Sequence, residues 1–292
     1  MGPQRIALII PTCGRPDDLS ACLKSIEREA DATLAQIVVV DDGVDTPVVV
    51  PSSVAGVPVL LLRNPERRGA AYCRNVAVRG LADDIDAVGF IDDDARLCEG
   101  WLKIACSELT EDRGALTGPV RRFDRGLVSH ARQLRYDRRY APLKPGQAVG
   151  FLAGGNALVW RDLLAAAGGF PDTPTMSDRF LVRRLEAQGR HCHFVPDMYV
   201  LHRNSKGLPV AVREAWRAGL LDDTPDATHP LIRLATGTRD ALDGLPQTAA
   251  ALLNVALDAV YLTGRARDHG RRPGVPAVEP AVAVLTTAEE GR

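Results

Sequence analysis

The sequence predicts an α/β protein built on a single open, mostly parallel sheet that helices flank, with a helical extension at its C-terminal end. Within the first hundred residues, unbroken apolar runs alternate with segments whose apolar residues recur at helical spacing. An unbroken apolar run is typical of a parallel strand that is buried on both faces. Polar residues cluster directly after three of these runs, and open α/β sheets bind ligands beyond the carboxyl ends of their strands.

Strands and helices are predicted to alternate through this part of the chain. The strands lie at residues 6–10, 37–40, 57–62 and 87–91, and the helices at 19–26, 69–81 and 101–109. Asp17 and Asp18 suit the start of the first helix, because acidic side chains stabilise a helix N-terminus. Further along, a helix is predicted at 180–185 and short strands at 193–195 and 198–201.

Three regions are predicted along the 292 residues. Residues 1–206 form the α/β domain, and residues 207–270, with Ala, Leu and Arg at helical spacing, form the extension. The Pro-, Val- and Ala-rich residues 271–292 form a flexible tail. We expect the extension to pack on the sheet; dimerisation and a peripheral contact with a membrane surface are the alternatives, and the oligomeric state stays open.

Composition and charge exclude several classes of protein. Hydrophobic residues make up 46% and charged residues 25%, which is ordinary for a globular protein and excludes a disordered chain. The 36 basic and 37 acidic residues nearly cancel, so we expect no nucleic-acid partner. Asn254 and Asp258 interrupt the best candidate for a membrane span, at 249–262. Six cysteines without a C-x-x-C pair, and a start without a signal-peptide pattern, predict free thiols and a cytoplasmic location.

The strongest candidate site is the run of three carboxylates that follows the strand at 87–91. In an extended segment alternate residues point to the same side, so Asp92 and Asp94 can face one site. Two such carboxylates repel each other unless a cation lies between them, and Mg²⁺ or Mn²⁺ takes oxygen ligands of this kind. A solvated acidic turn is the alternative, but the position opposite another strand that ends in Asp41-Asp42 favours a ligand site.

Two further segments could bind a nucleotide. Asp41-Asp42-Gly43 offers acceptors to a base or ribose, although Asp and Gly also favour a simple β-turn. The segment 67–75 places a glycine at a helix start beside Arg68 and Arg74, which suits a diphosphate; a solvated helix face is the alternative. The chain contains neither G-x-G-x-x-G nor G-x-x-x-x-G-K-[ST], so neither a Rossmann dinucleotide site nor a P-loop is supported.

Taken in order, these motifs resemble the family 2 glycosyltransferases of the GT-A fold. The resemblance runs from Ile6 to about Arg203 and rests on Pro11-Thr12, Asp41-Asp42-Gly43, Arg68-Gly69, Arg74-Asn75, Asp92-Asp93-Asp94, Gly154-Gly155-Asn156, Gly168-Gly169-Phe170, Asp178, Arg184 and Val195-Pro196 with His202. It implies an inverting, metal-dependent enzyme that moves a sugar from a nucleotide-sugar donor, expected to be UDP-linked, to an acceptor hydroxyl. The implied cofactor is Mg²⁺ or Mn²⁺.

The resemblance also implies a role for each matching residue. Asp178 would be the base that takes a proton from the acceptor hydroxyl, and Asp94 with His202 would hold the metal. The acceptor would lie against Gly154, Gly155 and Asn156. The donor would be bound by Pro11, Thr12, Arg15, Asp41, Asp42, Arg68, Arg74, Asp92 and Asp93.

One position departs from the family pattern. Residue 177 is Ser, where the family usually has Glu directly before the catalytic Asp178. Asp172 is then an alternative base, and Asp178 could instead cap a helix. The alternatives to a glycosyltransferase are a nucleotidyltransferase that forms sugar nucleotides and a GT-A-like binding protein without catalytic activity.

An arginine-rich run at residues 121–139 is the last candidate. It could contact an anionic acceptor, a phospholipid or the donor diphosphate. A solvated basic face is the alternative.

Overall fold

A computed structural model describes residues 2–3, 5–43, 46–173, 175–204, 207–221 and 248–267. Its first part alternates strands and helices as β1 (Ile6–Thr12), α1 (Pro16–Glu29), β2 (Leu34–Asp42), β3 (Ser53–Val54), β4 (Val57–Asn64), α2 (Ala70–Arg79), β5 (Ala87–Ile91), β6 (Ala95–Leu97) and α3 (Trp101–Glu108). The strands and helices predicted for this part are confirmed. Strands β2 and β4 run on into their polar ends, because polar residues also join the backbone hydrogen-bond ladder.

The second part is less regular. Its elements are β7 (Ala115–Thr117), β8 (Val120–Arg122), α4 (Leu127–Tyr140), β9 (Ala148–Val149), β10 (Asn156–Trp160), α5 (Arg161–Ala166), α6 (Ser177–Ala187), β11 (Cys192–Phe194), β12 (Val200–His202), α7 (Leu208–Leu221) and α8 (Thr248–Arg267). The arginine-rich run therefore spans β8 and α4.

Nine strands form the main sheet, in the order β3-β4-β2-β1-β5-β10-β7-β11-β9. The neighbours β4, β2, β1 and β5 are all parallel, as predicted for the first hundred residues. Beyond β5 the sheet is mixed, because β10 runs antiparallel to both β5 and β7. The α/β class with flanking helices is confirmed, and the parallel character is confined to one half of the sheet.

A second sheet of three strands, in the order β6-β12-β8, lies beside the main sheet where we expected one sheet only. Strand β12 pairs antiparallel with β6 so that His202 stands opposite Ala95. This pairing brings a residue from the far end of the α/β domain next to the residue that follows Asp94.

The central strand β1 is buried on both faces. Ile6, Leu8 and Ile10 pack in one core cluster with α1 and α3, and Ala7 and Ile9 pack in the other with α2, α5 and α6. Since both faces are covered, both sets of side chains must be apolar, and this explains the unbroken apolar run in the sequence.

The C-terminal helices α7 and α8 pack against each other, and α8 packs on α4. Arg135 of α4 donates to the side-chain oxygens of Asn254 at 2.7 Å and Asp258 at 2.9 Å, and both acceptors are buried. The two polar residues that interrupt the apolar run of α8 are therefore its anchors. The extension packs on α4 through these contacts, whereas we expected it to pack on the sheet.

Among the described residues, the structure contains no helix that is both long and apolar enough to cross a membrane. The predicted boundary near residue 206 lies in a short segment outside the described residues, as does the whole of the predicted tail at 271–292. The division into an α/β domain, an extension and a tail stays a prediction.

Glycines allow the close approach of α7 and α8. A Cβ atom at Gly219 would overlap the carbonyl oxygen of Tyr261, and one at Gly264 would meet the carbonyl oxygen of Trp216 at 2.6 Å. Backbone carbonyls cannot swing away as a side chain can, so these positions tolerate only glycine.

We predict that Gly219→Ala lowers the thermal stability of the protein. Alanine favours a helix over glycine by about 0.5–1 kcal/mol, but forcing the two helices apart costs about 1–3 kcal/mol. The measurement is thermal denaturation followed by circular dichroism. Gly80→Ala is the control, since a Cβ there meets only ordinary contacts, the nearest at 3.6 Å. A Gly219→Ala protein as stable as this control would contradict the close packing.

Candidate active site

The ends of several strands surround one crevice of about 470 Å³. The carboxyl ends of β1, β2 and β5 contribute Thr12, Asp42 and Asp92 to its lining, and β12 contributes His202. Because β10 is antiparallel, the residues just before its first residue, Gly154 and Gly155, lie at the same edge. Segments that are distant in sequence thus converge beyond the carboxyl ends of the parallel strands.

Asp92, Asp94 and His202 form a cluster that could hold a metal ion. One potential ligand atom from each residue lies within 4.8 Å of the others. The Nε2 atom of His202 is 2.9 Å from Oδ1 of Asp94 and 3.8 Å from Oδ2 of Asp92. Two carboxylates and one imidazole suit Mn²⁺, and the carboxylates alone suit Mg²⁺, so the donor set fits either cation.

The cluster is held in place by a surrounding set of hydrogen bonds. Arg74 donates to Oδ1 of Asp92 at 2.8 Å. On the other side, Nδ1 of His202 lies 3.0 Å from Oδ1 of Asn204, a residue that is itself fully buried. Ligand side chains that are fixed in this way need little rearrangement to receive a cation.

The electrostatics of the cluster favour positive charge. Burial acts to lower the pKa of His202, but the hydrogen bond and negative charge of Asp94, with smaller contributions from Asp92 and Asn204, outweigh it and raise the pKa. Arg15 also forms ion pairs with Asp94 and with Asp93, the latter at 2.5 Å. The surplus of carboxylates is therefore compensated by cationic side chains from the residue before α1 and from β12.

Asp93 was expected to bind the donor, but its side chain has no exposed surface. It accepts a hydrogen bond from the Thr12 hydroxyl at 2.8 Å and pairs with Arg15. Burial is the largest influence on this carboxyl and raises its pKa to about 6, although Arg15 acts in the opposite direction. The expectation of direct donor contact is corrected: Asp93 positions Thr12 and Arg15, which do line the crevice.

Asp41 and Asp42 are neighbours in the sequence, but only Asp42 is in the described lining of the crevice. Asp42 lines the crevice, but its oxygens accept hydrogen bonds from the backbone N–H groups of Arg68 and Gly69, each at 2.8 Å. Burial alone would raise the pKa of Asp42, and these bonds together with that of Asn64 hold it below its usual value. Asp42 thus shapes the loop that leads into α2.

Asp41 and Arg68 lie away from the crevice lining that the described residues form. Asp41 is buried and accepts a hydrogen bond from the backbone N–H of Val48 at 3.2 Å. The Arg68 side chain is 48% exposed, stacks on Tyr72 and lies 3.6 Å from Asp172. The donor contact that we expected of these two residues stays a prediction.

Gly154, Gly155 and Asn156 were expected to bind the acceptor. The two glycines line the crevice, so their acceptor contact stays a prediction, and the structure also shows why both are glycine. A Cβ atom at Gly155 would overlap the Asp92 carboxylate, and one at Gly154 would lie 3.0 Å from the Arg74 guanidinium. The two glycines therefore leave room for the Asp92–Arg74 pair.

Asn156 has no surface with which to contact an acceptor. It is fully buried, accepts a hydrogen bond from the Trp101 indole at 2.8 Å and donates to the carbonyl oxygens of Pro119 and Met198. The expected acceptor contact is corrected: Asn156 links β10 to the segments that lead into β8 and β12 of the small sheet.

Asp178 lies in the first turn of α6, which begins at Ser177. The N-cap residue is Met176, whose φ of 63° is left-handed, so the alternative that Asp178 caps the helix is wrong. Asp178 lines the crevice and also a second cavity of about 450 Å³. Burial raises its pKa, which the backbone N–H of Arg179 and the charges of Arg74 and Arg139 partly oppose. A carboxylate with a raised pKa is a stronger base.

The alternative base, Asp172, has a side chain that is 54% exposed and lies beside Arg68. Among the described residues it lines neither cavity. Its position therefore favours Asp178 as the carboxylate that can meet bound molecules.

Sequence reasoning missed the part of the crevice that α4 and α7 form. Arg132, Tyr136 and Arg139 of α4 line it, and so does Glu214 of α7, which lies 3.3 Å from Arg132. The signal in the sequence was the arginine-rich run, but nothing in it showed which of its residues would turn towards the site.

Solved structures similar to this chain are glycosyltransferases. A mannosyltransferase from Pyrobaculum calidifontis, PcManGT, in complex with GDP-Man and Mn²⁺, is 20% identical with a TM-score of 0.64 over 91% of this chain and 88% of that one. GalNAc-T7 with UDP, GalNAc and Mn²⁺ is 13% identical, with a TM-score of 0.56 over 91% of this chain and 57% of that one. TarS residues 1–349 from S. aureus is 16% identical, with a TM-score of 0.51 over 88% and 81%. At these identities the likeness shows the fold alone.

The mixed α/β sheet, together with these neighbours, defines the GT-A fold, and an Asp-Asp-His cluster lies beyond its parallel strands. Residues 7–168, more than half of the chain, match the model of glycosyl transferase family 2, and the chain belongs to that family. No curated protein sequence matched the chain. The family match favours transfer of a sugar over the alternative of a nucleotidyltransferase.

We predict that Gly155→Ala weakens binding of Mn²⁺ and of a nucleoside diphosphate. The added Cβ must push the Asp92 carboxylate off Arg74 and out of the cluster. Disturbing the setting of a metal ligand typically costs about 10–100-fold in metal affinity. The measurement is calorimetric titration with Mn²⁺, in the presence and absence of UDP, and Gly80→Ala is again the control. Unchanged Mn²⁺ affinity in Gly155→Ala would show that the glycine does not serve the cluster.

Proposed function

We propose that this protein transfers a sugar from a UDP-linked donor to an acceptor hydroxyl, with inversion at the anomeric carbon and with the help of a divalent cation. The observation that carries the proposal is the position of Asp178, which lines both the crevice with the acidic cluster and the adjoining cavity. A base at such a junction can touch an acceptor in one cavity while the donor occupies the other.

The donor is proposed to lie in the crevice. Thr12, Arg15, Asp42, Arg74 and Asp92 line it, as does Pro11, and these residues offer hydroxyl, guanidinium and carboxylate groups to a nucleoside and its diphosphate. Asp93 would act through Thr12 and Arg15, which it holds, and Asp41 and Arg68 would meet the donor from beside the crevice. Arg74 is the strongest candidate for a phosphate contact, because its side chain is only 7% exposed and stays fixed on Asp92.

The metal is proposed to bind Asp94, Asp92 and His202. When bound, Mg²⁺ or Mn²⁺ would supply positive charge that offsets the charge developing on the leaving diphosphate. Asp94 and His202 are buried side by side with a distance of 2.9 Å between Nε2 and Oδ1. PcManGT and GalNAc-T7 are described in complex with Mn²⁺, which supports Mn²⁺ as the first cation to test.

In the proposed reaction, the acceptor oxygen forms a bond to the anomeric carbon as the bond from that carbon to the diphosphate oxygen breaks. The nucleoside diphosphate leaves with the electron pair of the broken bond. Asp178 takes the proton of the acceptor hydroxyl, a form of catalysis that typically contributes about 10²–10⁴-fold. One displacement without an enzyme nucleophile inverts the anomeric configuration.

UDP is proposed as the nucleotide because GalNAc-T7 is described with UDP and TarS with UDP-GlcNAc, although PcManGT is described with GDP-Man. A cytoplasmic location is proposed as well. It is supported by the six cysteines, which are all free and mostly buried, as expected in a reducing compartment.

We predict that UDP binding requires a divalent cation and that Asp94→Asn weakens the metal-dependent part at least about tenfold, because an amide replaces a carboxylate ligand. Calorimetry with UDP and with GDP, each with Mn²⁺ and with excess EDTA, makes the measurement. Asp84→Asn is the matched control, since Asp84 forms an exposed ion pair with Arg5 far from the crevice lining. UDP binding that is as tight in EDTA as in Mn²⁺ would overturn the metal assignment.

We predict that Asp178→Asn lowers transfer to the acceptor at least ~10²-fold while UDP and Mn²⁺ still bind, because an amide cannot accept the hydroxyl proton. In the parent protein the rate should fall as the pH drops through the pKa of Asp178, since only the ionised form is a base. Burial raises that pKa, so this limb should lie above the value of about 3.9 for an ordinary Asp, and it should disappear in Asp178→Asn.

Asp172→Asn is the matched control for this experiment, and it should keep both the rate and the pH profile. NMR of the product then reports the anomeric configuration. A retained configuration, or a fully active Asp178→Asn protein, would mean that the mechanism is wrong.

A further inference from the structure

The second cavity, of about 450 Å³, adjoins the crevice and is partly formed by the C-terminal helices. Its wall includes Ala215 and Ala218 of α7 and Tyr261 of α8. The two cavities share Asp178, Met176, Leu152 and Arg139 in their linings. A molecule in the second cavity would therefore lie against Asp178 without occupying the place proposed for the donor.

Arginines outnumber carboxylates in the described lining of this cavity by three to one, and one of them, Arg135, is also ion-paired with Asp258 of α8. Arg135 and Arg139 come from α4, where a spacing of four residues puts them on one face, and Arg179 comes from the first turn of α6. Among the described lining residues the single acidic side chain is Asp178. The amino end of α6, from which Asp178 and Arg179 project, adds the positive end of a helix dipole.

Contacts within the protein hold the guanidinium groups of Arg135 and Arg139 in position. Arg135 is fixed by Asn254 and Asp258 of α8, at 2.7 Å and 2.9 Å. The Arg139 guanidinium carbon lies 5.1 Å from the centre of the Phe151 ring, over its face. A guanidinium that is already oriented loses little freedom when it binds a ligand, and its planar set of N–H donors matches the oxygens of phosphate or carboxylate.

The rest of the lining is apolar. Phe151, Leu152, Met176, Ala215 and Tyr261 surround the arginines with aromatic and aliphatic surface. Such a wall suits the uncharged carbon skeleton of a ligand. The cavity thus combines a cationic patch, an apolar wall and one carboxylate with a pKa that burial raises.

We propose that the second cavity selects an acceptor that carries an oxyanion group, phosphate or carboxylate, in addition to the reacting hydroxyl. The oxyanion lies against Arg135, Arg139 and Arg179, the carbon skeleton lies on the apolar wall, and the hydroxyl points to Asp178. The proposal rests on the function proposed above and adds the chemical class of the acceptor. It also gives the arginine-rich run at residues 121–139 a role in selecting the acceptor, in place of the alternative that the run is a solvated face.

The test uses three probes with the same carbon skeleton: glycerol, glycerol 3-phosphate and glycerate. The full-length protein is first saturated with UDP and Mn²⁺, so that phosphate groups cannot report binding in the donor crevice, and each probe is then titrated by calorimetry. We expect binding of glycerol 3-phosphate, of glycerate or of both, and no measurable binding of glycerol. The stronger of the two oxyanions identifies the group that the cavity prefers.

Variants of Arg139 locate the binding. Arg139→Gln should weaken the binding of the oxyanion probe about tenfold or more, as expected when a charge-assisted hydrogen bond is lost. Arg139→Lys keeps the charge without the planar fork and should lie between Arg139→Gln and the parent. Arg138→Gln is the control, because it removes the same charge from the next position of α4, outside the described lining of both cavities. Thermal denaturation of each variant verifies that it folds.

The outcomes separate this proposal from the one on which it rests. Failure of both oxyanions to bind, binding of glycerol as tight as that of glycerol 3-phosphate, or equal losses in Arg139→Gln and Arg138→Gln would each overturn the oxyanion site. None of these results depends on turnover. Saturation with UDP and Mn²⁺ is verified beforehand by their own titration into the parent protein, and that titration tests the glycosyltransferase function separately. Transfer of a sugar to the preferred probe by the parent protein, and loss of this transfer in Asp178→Asn, would support both proposals together.

Discussion

The mutual repulsion of three consecutive carboxylates after β5 is the constraint on which the rest of the site depends. Asp93 and Asp94 are fully buried and Asp92 is partly buried, so water cannot screen their charges well. Arg15 from just before α1, Arg74 from α2 and His202 from β12 compensate them. Each of these cations requires its own setting, and for this reason the glycines before β10 and the buried Asn204 are part of the same arrangement. The remaining attraction for positive charge is what a divalent cation would use.

The mixed topology of the sheet delivers these groups to one place. A wholly parallel sheet would put the amino end of β10 at the opposite edge, away from Asp92. Since β10 is antiparallel, Asn156 stands opposite Ile91, and Gly154 and Gly155 reach the acidic cluster. The small sheet does the same for His202, which stands opposite Ala95. Antiparallel pairing is therefore a functional feature of this fold and more than a way to complete the sheet.

The C-terminal helices contribute to the active site as well as to packing. α8 is anchored to α4 through Asn254 and Asp258, and α7 carries Glu214 into the crevice and two alanines into the second cavity. Fixing α4 in this way also fixes its arginines relative to Asp178. Family 2 glycosyltransferase motifs end before these helices begin, since the family match covers residues 7–168. The lining of the second cavity thus combines residues from inside the matched region, such as Arg135 and Arg139, with residues from outside it, such as Asp178 and Tyr261.

The sequence by itself determined the α/β class, the parallel strands of the first half and the identity of the acidic cluster, because all three depend on local signals. A strand that is buried on both faces must be apolar throughout, and this pattern is visible in the sequence. The carboxylates that follow such a strand are consecutive residues, so the sequence also shows them directly. Only the tertiary structure decided which polar groups remain available for a ligand. Asp93 and Asn156 look like binding residues in the sequence, yet Thr12, Arg15 and Trp101 already occupy their hydrogen-bonding atoms. The partners lie up to 81 residues away along the chain, and such long-range pairing leaves no periodic pattern that a reader of the sequence could detect.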